Sequence, residues 1–337
     1  MYAEKYHKID LSRYNFLVTG GAGFIGSNLV EYLLKYKAKK VRVLDNFSTG
    51  YRQNIFPFLE KDNFELIEGD IRNLEICNRA CEGIDFVFHQ AALGSVPRSI
   101  EDPRTTNEVN LSGFLNMLIA GRDKKIKRFI YAASSSTYGD SKGLPKIEGE
   151  IGSPLSPYAI TKYVNELYAD IFSSIYSLET IGLRYFNVFG QKQDPDGAYA
   201  AVIPKFIMQL INHQSPIING DGEYSRDFTY IDNIIQINML CLDSTNKESI
   251  NQVYNAAFGG RTTLNQLVEF LKESLSEFDK SINEIEVIYG PIREGDIPHS
   301  LASIDKAKRL LHYKPNYSIK EGLSEAISWY WDTLKKY

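Results

Sequence analysis

The 337-residue chain has few cysteines, no long apolar run and little net charge. Its three cysteines, Cys77, Cys81 and Cys241, are an odd and sparse set, which argues against a disulfide framework. No histidine cluster accompanies them, so we interpret them as core or inert thiols and expect no metal site. No apolar stretch approaches the ~20 residues that a membrane span needs, and the first residues are too polar for a secretory signal. We therefore expect a cytoplasmic protein without membrane contact.

The charge of the chain also limits its partners. The formal net charge is -4 at pH 7, which gives no basic surface for nucleic acid or anionic lipid. Charged residues make up 24% of the chain and hydrophobic residues 43%, as in an ordinary globular protein. The length suffices for one large or two ordinary domains with a sizeable core.

A glycine-rich turn follows the first apolar segment. Phe16–Thr19 is predicted to be a buried strand that enters the sequence G-G-A-G-F-I-G, and helical apolar spacing follows. Strand, glycine turn and helix form the context that a dinucleotide-binding fingerprint requires. Gly20 would permit the tight turn, Gly23 would let backbone amides reach a pyrophosphate, and Gly26 would let helix and strand pack closely. We expect the helix N-terminus to face the phosphates.

The second predicted strand indicates which dinucleotide binds. It ends at Asp45, about 20 residues beyond the glycines, where a carboxylate can bind the ribose 2′-hydroxyl. A carboxylate there would repel a 2′-phosphate, and no arginine follows directly, so the pattern favours NAD over NADP. The alternative is that Asp45 is a simple turn residue. The small pair Ala91-Ala92 would let a cofactor pass close to the chain, whereas His89 is interpreted as structural.

Strands and helices alternate up to residue 186, which predicts a doubly wound parallel sheet, an α/β Rossmann fold. We expect a helix over Thr105–Ala120 and a polar arm before Asn15, with a helix on the outside. After residue 186 the loops lengthen and contain more proline and glycine. The predicted division is an NAD-binding domain at 1–186, with return segments around 228–257, and a smaller mixed α/β substrate domain at 187–227 and 258–337.

Tyr158 and Lys162 carry the predicted chemistry. Ser156 can cap a helix with Pro157 in its first turn, and the spacing of four residues would place both side chains on one face. Lowering the pKa of a tyrosine from ~10 to ~7 takes roughly 4 kcal/mol, which a lysine and a cationic cofactor in a dry cleft could supply. Such a phenol exchanges a proton with a substrate hydroxyl at neutral pH. The alternative is an ordinary amphipathic helix, because this spacing alone is common.

Several motifs together resemble the extended short-chain dehydrogenase/reductase family, over nearly the whole chain from about Asn15. They are T-G-G-A-G-F-I-G, the serine run before Y-G, Tyr158-x-x-x-Lys162 and R-Y-F-N-V-F-G. Longer runs are similar to UDP-sugar 4-epimerases that act on N-acetylated hexosamines. These runs are H-Q-A-A-L-G-S-V-P-R-S-I, A-A-S-S-S-T-Y-G-D, S-P-Y-A-I-T-K-Y-V-N-E, G-A-Y-A-A-V-I-P and N-G-D-G-x-x-S-R-D-F.

The resemblance implies a role for each catalytic position. Tyr158 is expected to be the acid/base, and Lys162 to lower its pKa and hold the nicotinamide ribose. Ser134 falls at the family's catalytic hydroxyl, and Ser136 at a hydroxyl that contacts the sugar. The residues expected at the cofactor, besides Tyr158 and Lys162, are Gly20, Gly23, Phe24, Ile25, Gly26, Asp45, Asn46, Ser48, Gly50, Asp70, Ile71, Gln90, Ala91, Ala92, Asn110 and Tyr185.

The resemblance also implies a UDP-sugar site and a homodimer built on the helices predicted at Thr105–Ala120 and Pro157–Tyr176. The residues expected at the substrate are Gly94, Ser95, Ser135, Ser136, Asn187, Gln193, Ala201, Val202, Asn219, Arg226, Arg293, Asp296 and Ser300. Asn219 departs from the aromatic residue that many relatives place beside the uracil. Ser300 stands where epimerases restricted to non-acetylated sugars carry a bulky tyrosine, so room for a C2 acetamido group is expected there, with Gly94 and Ala201 completing the pocket.

The expected activity is therefore 4-epimerisation of UDP-GlcNAc and UDP-GalNAc, which would supply surface polysaccharide precursors. The alternatives are UDP-N-acetylhexosaminuronic acids or UDP-Glc and UDP-Gal as substrates. A 4,6-dehydratase needs an Asp-Glu pair where Ser135 and Ser136 stand, and a decarboxylase has a glutamate at Ser136. A non-catalytic NAD-binding protein is expected to lose Tyr158, Lys162 or Ser134, and all three are present.

Overall fold

A computed structural model describes residues 2–194, 201–292 and 298–335. The strands are β1 (Asn15–Thr19), β2 (Lys40–Asp45), β3 (Phe64–Glu68), β4 (Phe86–His89), β5 (Arg128–Ser134), β6 (Thr180–Tyr185), β7 (Val188–Phe189), β8 (Ile217–Asn219), β9 (Ser225–Arg226), β10 (Thr229–Tyr230), β11 (Gln252–Ala256), β12 (Thr262–Thr263) and β13 (Ile288–Gly290). Seven of them form one parallel sheet in the order β11-β6-β5-β4-β1-β2-β3. This confirms the predicted doubly wound sheet.

Helices cover this sheet and build the rest of the chain. They are α1 (Phe24–Lys35), α2 (Leu74–Ala80), α3 (Val96–Glu101), α4 (Pro103–Asn107), α5 (Phe114–Asp123), α6 (Pro157–Tyr176), α7 (Val202–Ile211), α8 (Ile231–Asp243), α9 (Leu264–Leu275), α10 (Asp305–Leu311) and α11 (Ile319–Leu334). The sheet strands are almost entirely apolar because a parallel sheet is buried on both faces. Leu17 and Val18, which point to opposite faces of β1, are both fully buried.

The strand order places a ligand crevice at one point of the sheet. From β1 the chain proceeds through β2 and β3 on one side, and β4, β5 and β6 extend on the other. At such a switch point the loops after adjacent strands diverge and leave a crevice beyond the carboxyl ends of the strands. The glycine turn follows β1 and the serine run follows β5, so both lie at this edge.

The helix predicted over Thr105–Ala120 is present, but it is not a regular α-helix throughout. The structure has α4, then a π-helical turn at Glu108–Gly113, then α5. Two residues of this π-helical turn make close contacts with other parts of the chain. Asn110 hydrogen-bonds Leu93 with both its side-chain oxygen and its nitrogen, and a Cβ on Gly113 would lie 2.6 Å from Ile71.

The segment before Asn15 also differs from the prediction. Its only helical turn in the described residues is a 3₁₀ turn at Leu11–Arg13, and the segment is packed into the protein. Tyr2 is 2% exposed and donates to the Asn28 side chain. The segment is polar in sequence, yet its aromatic side chain Tyr2 is buried against a helix more than 20 residues away. No local sequence pattern indicates such a contact.

The later part of the chain returns to the sheet. β11 pairs with β6 over five registered residues, and α8 packs on β5 and β6. The short pairs β8 with β13 and β9 with β12 lie outside the main sheet. The division into two domains stays a prediction. Cys77, Cys81 and Cys241 are buried and free, as expected, and none of the described helices is long and apolar enough to cross a membrane.

Candidate active site

A cavity of about 400 Å³ opens at the carboxyl ends of the central strands. The predicted cofactor residues that line it are Gly20, Gly23, Phe24, Ile25, Gly26, Asp45, Asn46, Ser48, Gly50, Asp70, Ile71, Gln90, Ala91, Ala92, Tyr158, Lys162 and Tyr185. These residues come from the ends of β1 to β6 and from α1 and α6. The tertiary structure therefore gathers into one crevice residues that are up to 165 positions apart, and their contact with a cofactor stays a prediction.

Asn110 does not line this cavity. It is 1% exposed, and its amide joins Leu93 to the Thr161 hydroxyl on α6 at 3.2 Å. The expectation that Asn110 contacts the cofactor is therefore not supported. Its side chain instead fixes α6 against the loop that follows β4.

The glycine turn has the shape that a bound pyrophosphate needs. Gly20 has φ +67, and a Cβ there would lie 2.7 Å from the Ala91 nitrogen. A Cβ on Gly26 would lie 2.1 Å from the Gly20 carbonyl oxygen, so the helix touches the turn directly. α1 begins after Gly23 without a side-chain cap, which leaves amides of its first turn available to phosphate oxygens. These residues fit a dinucleotide.

Asp45 closes the other side of this cavity. Its carboxylate accepts hydrogen bonds from the backbone amides of Ala22 at 2.9 Å and Phe47 at 2.8 Å. Burial raises the pKa of Asp45, and these backbone donors act in the opposite direction. The carboxylate therefore connects β2 to the glycine turn, which is more than the simple turn role that the alternative reading assigned to it.

The hydroxyl groups of the site meet at the end of β5. Ser134 ends the strand and is the residue before a short 3₁₀ turn, where its Oγ accepts from the Ser136 amide at 3.1 Å and the Ser136 hydroxyl at 2.9 Å. Tyr158 lies in the first turn of α6, which Ser156 caps through the Ala159 amide. Burial raises the pKa of Tyr158, and a hydrogen bond with Ser134 lowers it.

Lys162 lies one turn further along α6 and is 3% exposed. Its Nζ donates to the Ala132 carbonyl at 2.7 Å and lies 5.9 Å from the centroid of the Tyr158 ring. Burial lowers the pKa of Lys162 to about 8, and the Glu166 carboxylate raises it. The pKa of Tyr158 is thus raised and not lowered as the sequence suggested, because burial outweighs the effect of Ser134.

Two further cavities adjoin the first. One, of about 750 Å³, contains the predicted residues Ser134, Ser135, Ser136, Asn187, Arg226 and Ser300. The other, of about 340 Å³, contains Asn187, Gln193, Ala201, Val202, Asn219 and Arg226. Asn187 lines all three cavities, and its side chain donates to the Asp227 carbonyl at 3.1 Å. It therefore lies at the junction of the crevice and both outer cavities.

Some of the residues predicted to bind the substrate do not line the same cavity. Gly94 lines the inner crevice, Ala201 the 340 Å³ cavity and Ser300 the 750 Å³ cavity. The structure thus places them in three adjoining cavities that share Asn187, and their joint role in one pocket stays a prediction. Ser95 lines none of the three cavities; its hydroxyl accepts from the Arg98 amide at the start of α3. Arg293 and Asp296 lie outside the described residues.

Most of the residues that line the 750 Å³ cavity were not predicted from the sequence. That wall consists of Val96, Pro97, Ile100, Glu101, Tyr138, Gly139, Lys146, Leu155, Ser156, Ala159, Phe186 and His299. Its members come from α3, the loop before α6 and the segment near Ser300, so no local motif connects them. The sequence also missed Glu166, although the spacing of four residues from Lys162 could have indicated it.

A doubly wound sheet, an uncapped glycine turn and a tyrosine–lysine pair beside the crevice define a dinucleotide-dependent enzyme of the short-chain dehydrogenase class. Residues 16–257 match the model of the NAD dependent epimerase/dehydratase family. The chain belongs to that family. It is an isomerase that uses NAD, as the sequence predicted.

Solved structures with similar chains agree with this assignment. A UDP-N-acetylglucosamine 4-epimerase from Methanobrevibacter ruminantium, in complex with UDP-N-acetylmuramic acid, is 40% identical, with 94% of this chain and 98% of that chain covered and a TM-score of 0.87. A UDP-glucose 4-epimerase from Thermotoga maritima, with UDP-glucose, is 36% identical, with coverage of 95% and 99% and a TM-score of 0.86. A UDP-glucuronic acid 4-epimerase from Bacillus cereus, with UDP-glucuronic acid and NAD, is 29% identical, with coverage of 96% and 99% and a TM-score of 0.83.

Proposed function

We propose that this protein interconverts UDP-GlcNAc and UDP-GalNAc by transient oxidation and re-reduction at C4. The observation that supports this most directly is the position of Ser134. It lines both the crevice that fits NAD and the 750 Å³ cavity, and its hydroxyl lowers the pKa of Tyr158. A sugar in the larger cavity would meet the acid/base and the cofactor at this one place.

The residues would then divide the work as follows. Tyr158, as phenolate, accepts the C4 hydroxyl proton and later returns it, and Ser134 holds that hydroxyl at the phenol. Bound NAD supplies the hydride acceptor, so that the substrate passes through a 4-keto sugar and no net oxidation occurs. Lys162 lies between the tyrosine ring and β5, where its ammonium favours the phenolate. The reacting atoms must approach to about 3–3.5 Å, which these fixed elements favour.

The preference for acetylated sugars rests on space and on Ser300. The 750 Å³ cavity is walled on one side by exposed apolar residues, Val96, Ile100 and Leu155, and Ser300 adds only a hydroxymethyl group. An acetamido methyl fits such a wall. The 40% identity to a UDP-N-acetylglucosamine 4-epimerase favours the same substrate class. The second candidate is a C6-carboxylated sugar. The Lys146 ammonium in the same cavity wall favours it, because a cation can pair with the carboxylate.

Other reactions of this scaffold fit less well. Loss of water across C5 and C6 needs an acid and a base above the sugar, and the positions at the start of the 3₁₀ turn are Ser135 and Ser136. The two serine hydroxyls cannot replace a carboxylic acid and a carboxylate in that proton transfer. We therefore assign epimerisation, in the supply of surface polysaccharide precursors.

We also propose that the enzyme is a homodimer through α6. The outer face of this helix exposes Leu167 at 50%, Ile171 at 47% and Ile175 at 65%, a spacing of about one turn that forms an apolar stripe. A second copy of the same stripe is the natural occupant, because an antiparallel pair of these helices would cover both. α5 contributes no large exposed apolar side chain in the described structure.

Proton NMR of the enzyme with a panel of UDP-sugars tests the function. The panel contains UDP-GlcNAc, UDP-GalNAc, UDP-Glc, UDP-Gal and the N-acetylated uronic acids, each with and without added NAD. We expect the anomeric signals of the two N-acetylhexosamines to interconvert fastest. Faster conversion of the uronic acids would transfer the assignment to the second candidate, and no conversion of any sugar by NAD-loaded protein would contradict epimerisation.

A further inference from the structure

A buried ion pair lies directly behind the catalytic helix. Glu166 follows Lys162 by four residues on α6 and is 8% exposed, and Arg184 on β6 is 3% exposed. The two are bound twice, with Arg184 Nε donating at 2.9 Å and its terminal nitrogen at 2.7 Å to the two carboxylate oxygens. Such bidentate pairs are strongly directional. Neither residue lines any of the three cavities, so neither touches substrate or cofactor.

The pair joins α6, which carries Tyr158 and Lys162, to β6, the strand next to β5. Arg184 faces Ala133 on β5 in the sheet register, and its remaining nitrogen donates to the Glu148 carbonyl at 2.9 Å. Its guanidinium carbon lies 4.7 Å from the centroid of the Tyr138 ring. The pair therefore fixes the position of α6 on the neighbouring strands β5 and β6.

The charges around Lys162 single out this carboxylate. His89 on β4 is buried with a pKa lowered to about 3, so it is neutral, and it bonds the Thr19 hydroxyl instead. On β5, burial raises the pKa of Tyr131 far above its usual value, and on β6 burial does the same for Tyr185. Both are neutral phenols at physiological pH. Among the described residues, the Glu166–Arg184 pair carries the ionised groups next to Lys162.

Tyr158, Lys162 and Glu166 follow one another at single-turn spacing on one face of α6, whereas Arg184 reaches the carboxylate from β6. The Glu166 carboxylate raises the pKa of Lys162. Burial alone would favour a neutral lysine. A neutral Lys162 would neither favour the Tyr158 phenolate nor act as a cation towards a nucleotide.

We propose that Glu166 is a positioning residue for the reaction, whose carboxylate, held by Arg184, keeps the Lys162 ammonium charged inside the dry cleft. This inference rests on the proposed function of Tyr158 and Lys162 but adds a residue that has no contact with any ligand. It explains why a carboxylate and a guanidinium are buried at this point, where two apolar side chains of similar volume would cost less desolvation.

The test is the substitution Glu166→Gln, which keeps an oxygen acceptor for Arg184 but removes the charge. Lysine residues labelled with ¹³C at Cε are titrated by NMR in the wild type and the variant, and Lys162→Met assigns the signal. We expect the Lys162 signal to titrate near pH 8 in the wild type and about one pH unit lower in Glu166→Gln, as expected for loss of a nearby opposite charge. The alkaline limb of kcat should move down in pH by the same amount.

Glu179→Gln is the matched control. Glu179 also binds an arginine through two nitrogens, Arg128 at the other end of β5; this carboxylate is more exposed than Glu166, and the variant makes the same change of charge far from the cleft. Both the Lys162 titration and the kcat profile should stay unchanged in it. If Glu166→Gln does not fold, the double variant Glu166→Gln/Arg184→Gln leaves no buried charge unpaired and is measured in the same way.

The results separate this inference from the proposed function. A wild type that binds NAD but converts no UDP-sugar contradicts the function, while the NMR titration still tests the charge effect. An active wild type whose Lys162 titration is the same in the Glu166 variants overturns the inference. A lowered melting temperature with unchanged titration and unchanged pH profile also overturns it, because the pair would then be structural only.

Discussion

Gly26→Ala should weaken both the fold of the glycine turn and cofactor binding. The added methyl carbon would lie 2.1 Å from the Gly20 carbonyl oxygen, 2.8 Å from its carbon and 2.9 Å from Gly21 Cα. Ordinary contact begins at 3.4 Å, so turn and helix must separate. Gly20 has no room to retreat, because it already lies against the backbone of Ala91.

The magnitude follows from this geometry. Overpacking a close-packed interior typically costs about 1–3 kcal/mol, and contact with backbone atoms instead of a flexible side chain puts this site at the upper end. Since the turn and the first amides of α1 are the predicted phosphate site, their separation should also weaken NAD binding. A loss of about 3 kcal/mol corresponds to roughly a 100-fold higher Kd.

The assay compares purified wild type, Gly26→Ala and Gly149→Ala. A Cβ on Gly149 meets no atom within 4 Å, so this control adds the same methyl group at a position without steric contact. Bound nucleotide is measured by mass spectrometry after denaturation, Kd by calorimetry on stripped protein, and stability by thermal unfolding. If Gly26→Ala retains the nucleotide content and melting temperature of the control, the close approach of helix and turn is not what shapes the cofactor site.

Three other predictions concern chemistry, substrate and assembly. Tyr158→Phe should keep the fold and bound NAD but lower kcat by about 10²–10⁴-fold; near-normal turnover would remove Tyr158 as acid/base. Ser300→Tyr should lower kcat/KM for UDP-GlcNAc and UDP-GalNAc and retain or raise it for UDP-Glc and UDP-Gal; an equal fall for both pairs would show that Ser300 is no size gate. The double variant Ile171→Asp/Ile175→Asp should sediment as a monomer at micromolar concentration, while Phe56→Asp, which alters another exposed aromatic at 71% exposure, should not change the mass; a monomeric wild type would refute the dimer.

Sequence reasoning succeeded where the structure depends on neighbouring residues. The strand, the glycine turn and the helix after it are adjacent in the chain, and the φ of +67 at Gly20 is a local requirement that glycine meets. The pairing of Tyr158 with Lys162 likewise follows from one helical turn. The parallel sheet could be predicted because most of its strands are separated from the next by a helix, and all by a connection long enough to cross over.

Tertiary packing decided the features that join distant residues. The N-terminal segment packs on α1, where Asn28 and Tyr32 accept hydrogen bonds from it and Tyr2 and His7 are buried. Ala201 and Ser300, which the sequence predicted to share one pocket, line two different cavities that both include Asn187. Neither outcome has a periodic signal, since each depends on contacts between segments far apart in the chain.

The protonation state of the catalytic pair shows the same limit. From its sequence spacing, Lys162 was expected to lower the pKa of Tyr158. In the folded protein burial raises the pKa of Tyr158 and lowers that of Lys162. Desolvation is a property of everything packed around a group, so spacing identified which side chains meet, and only the packed structure determined which of their charged forms is favoured.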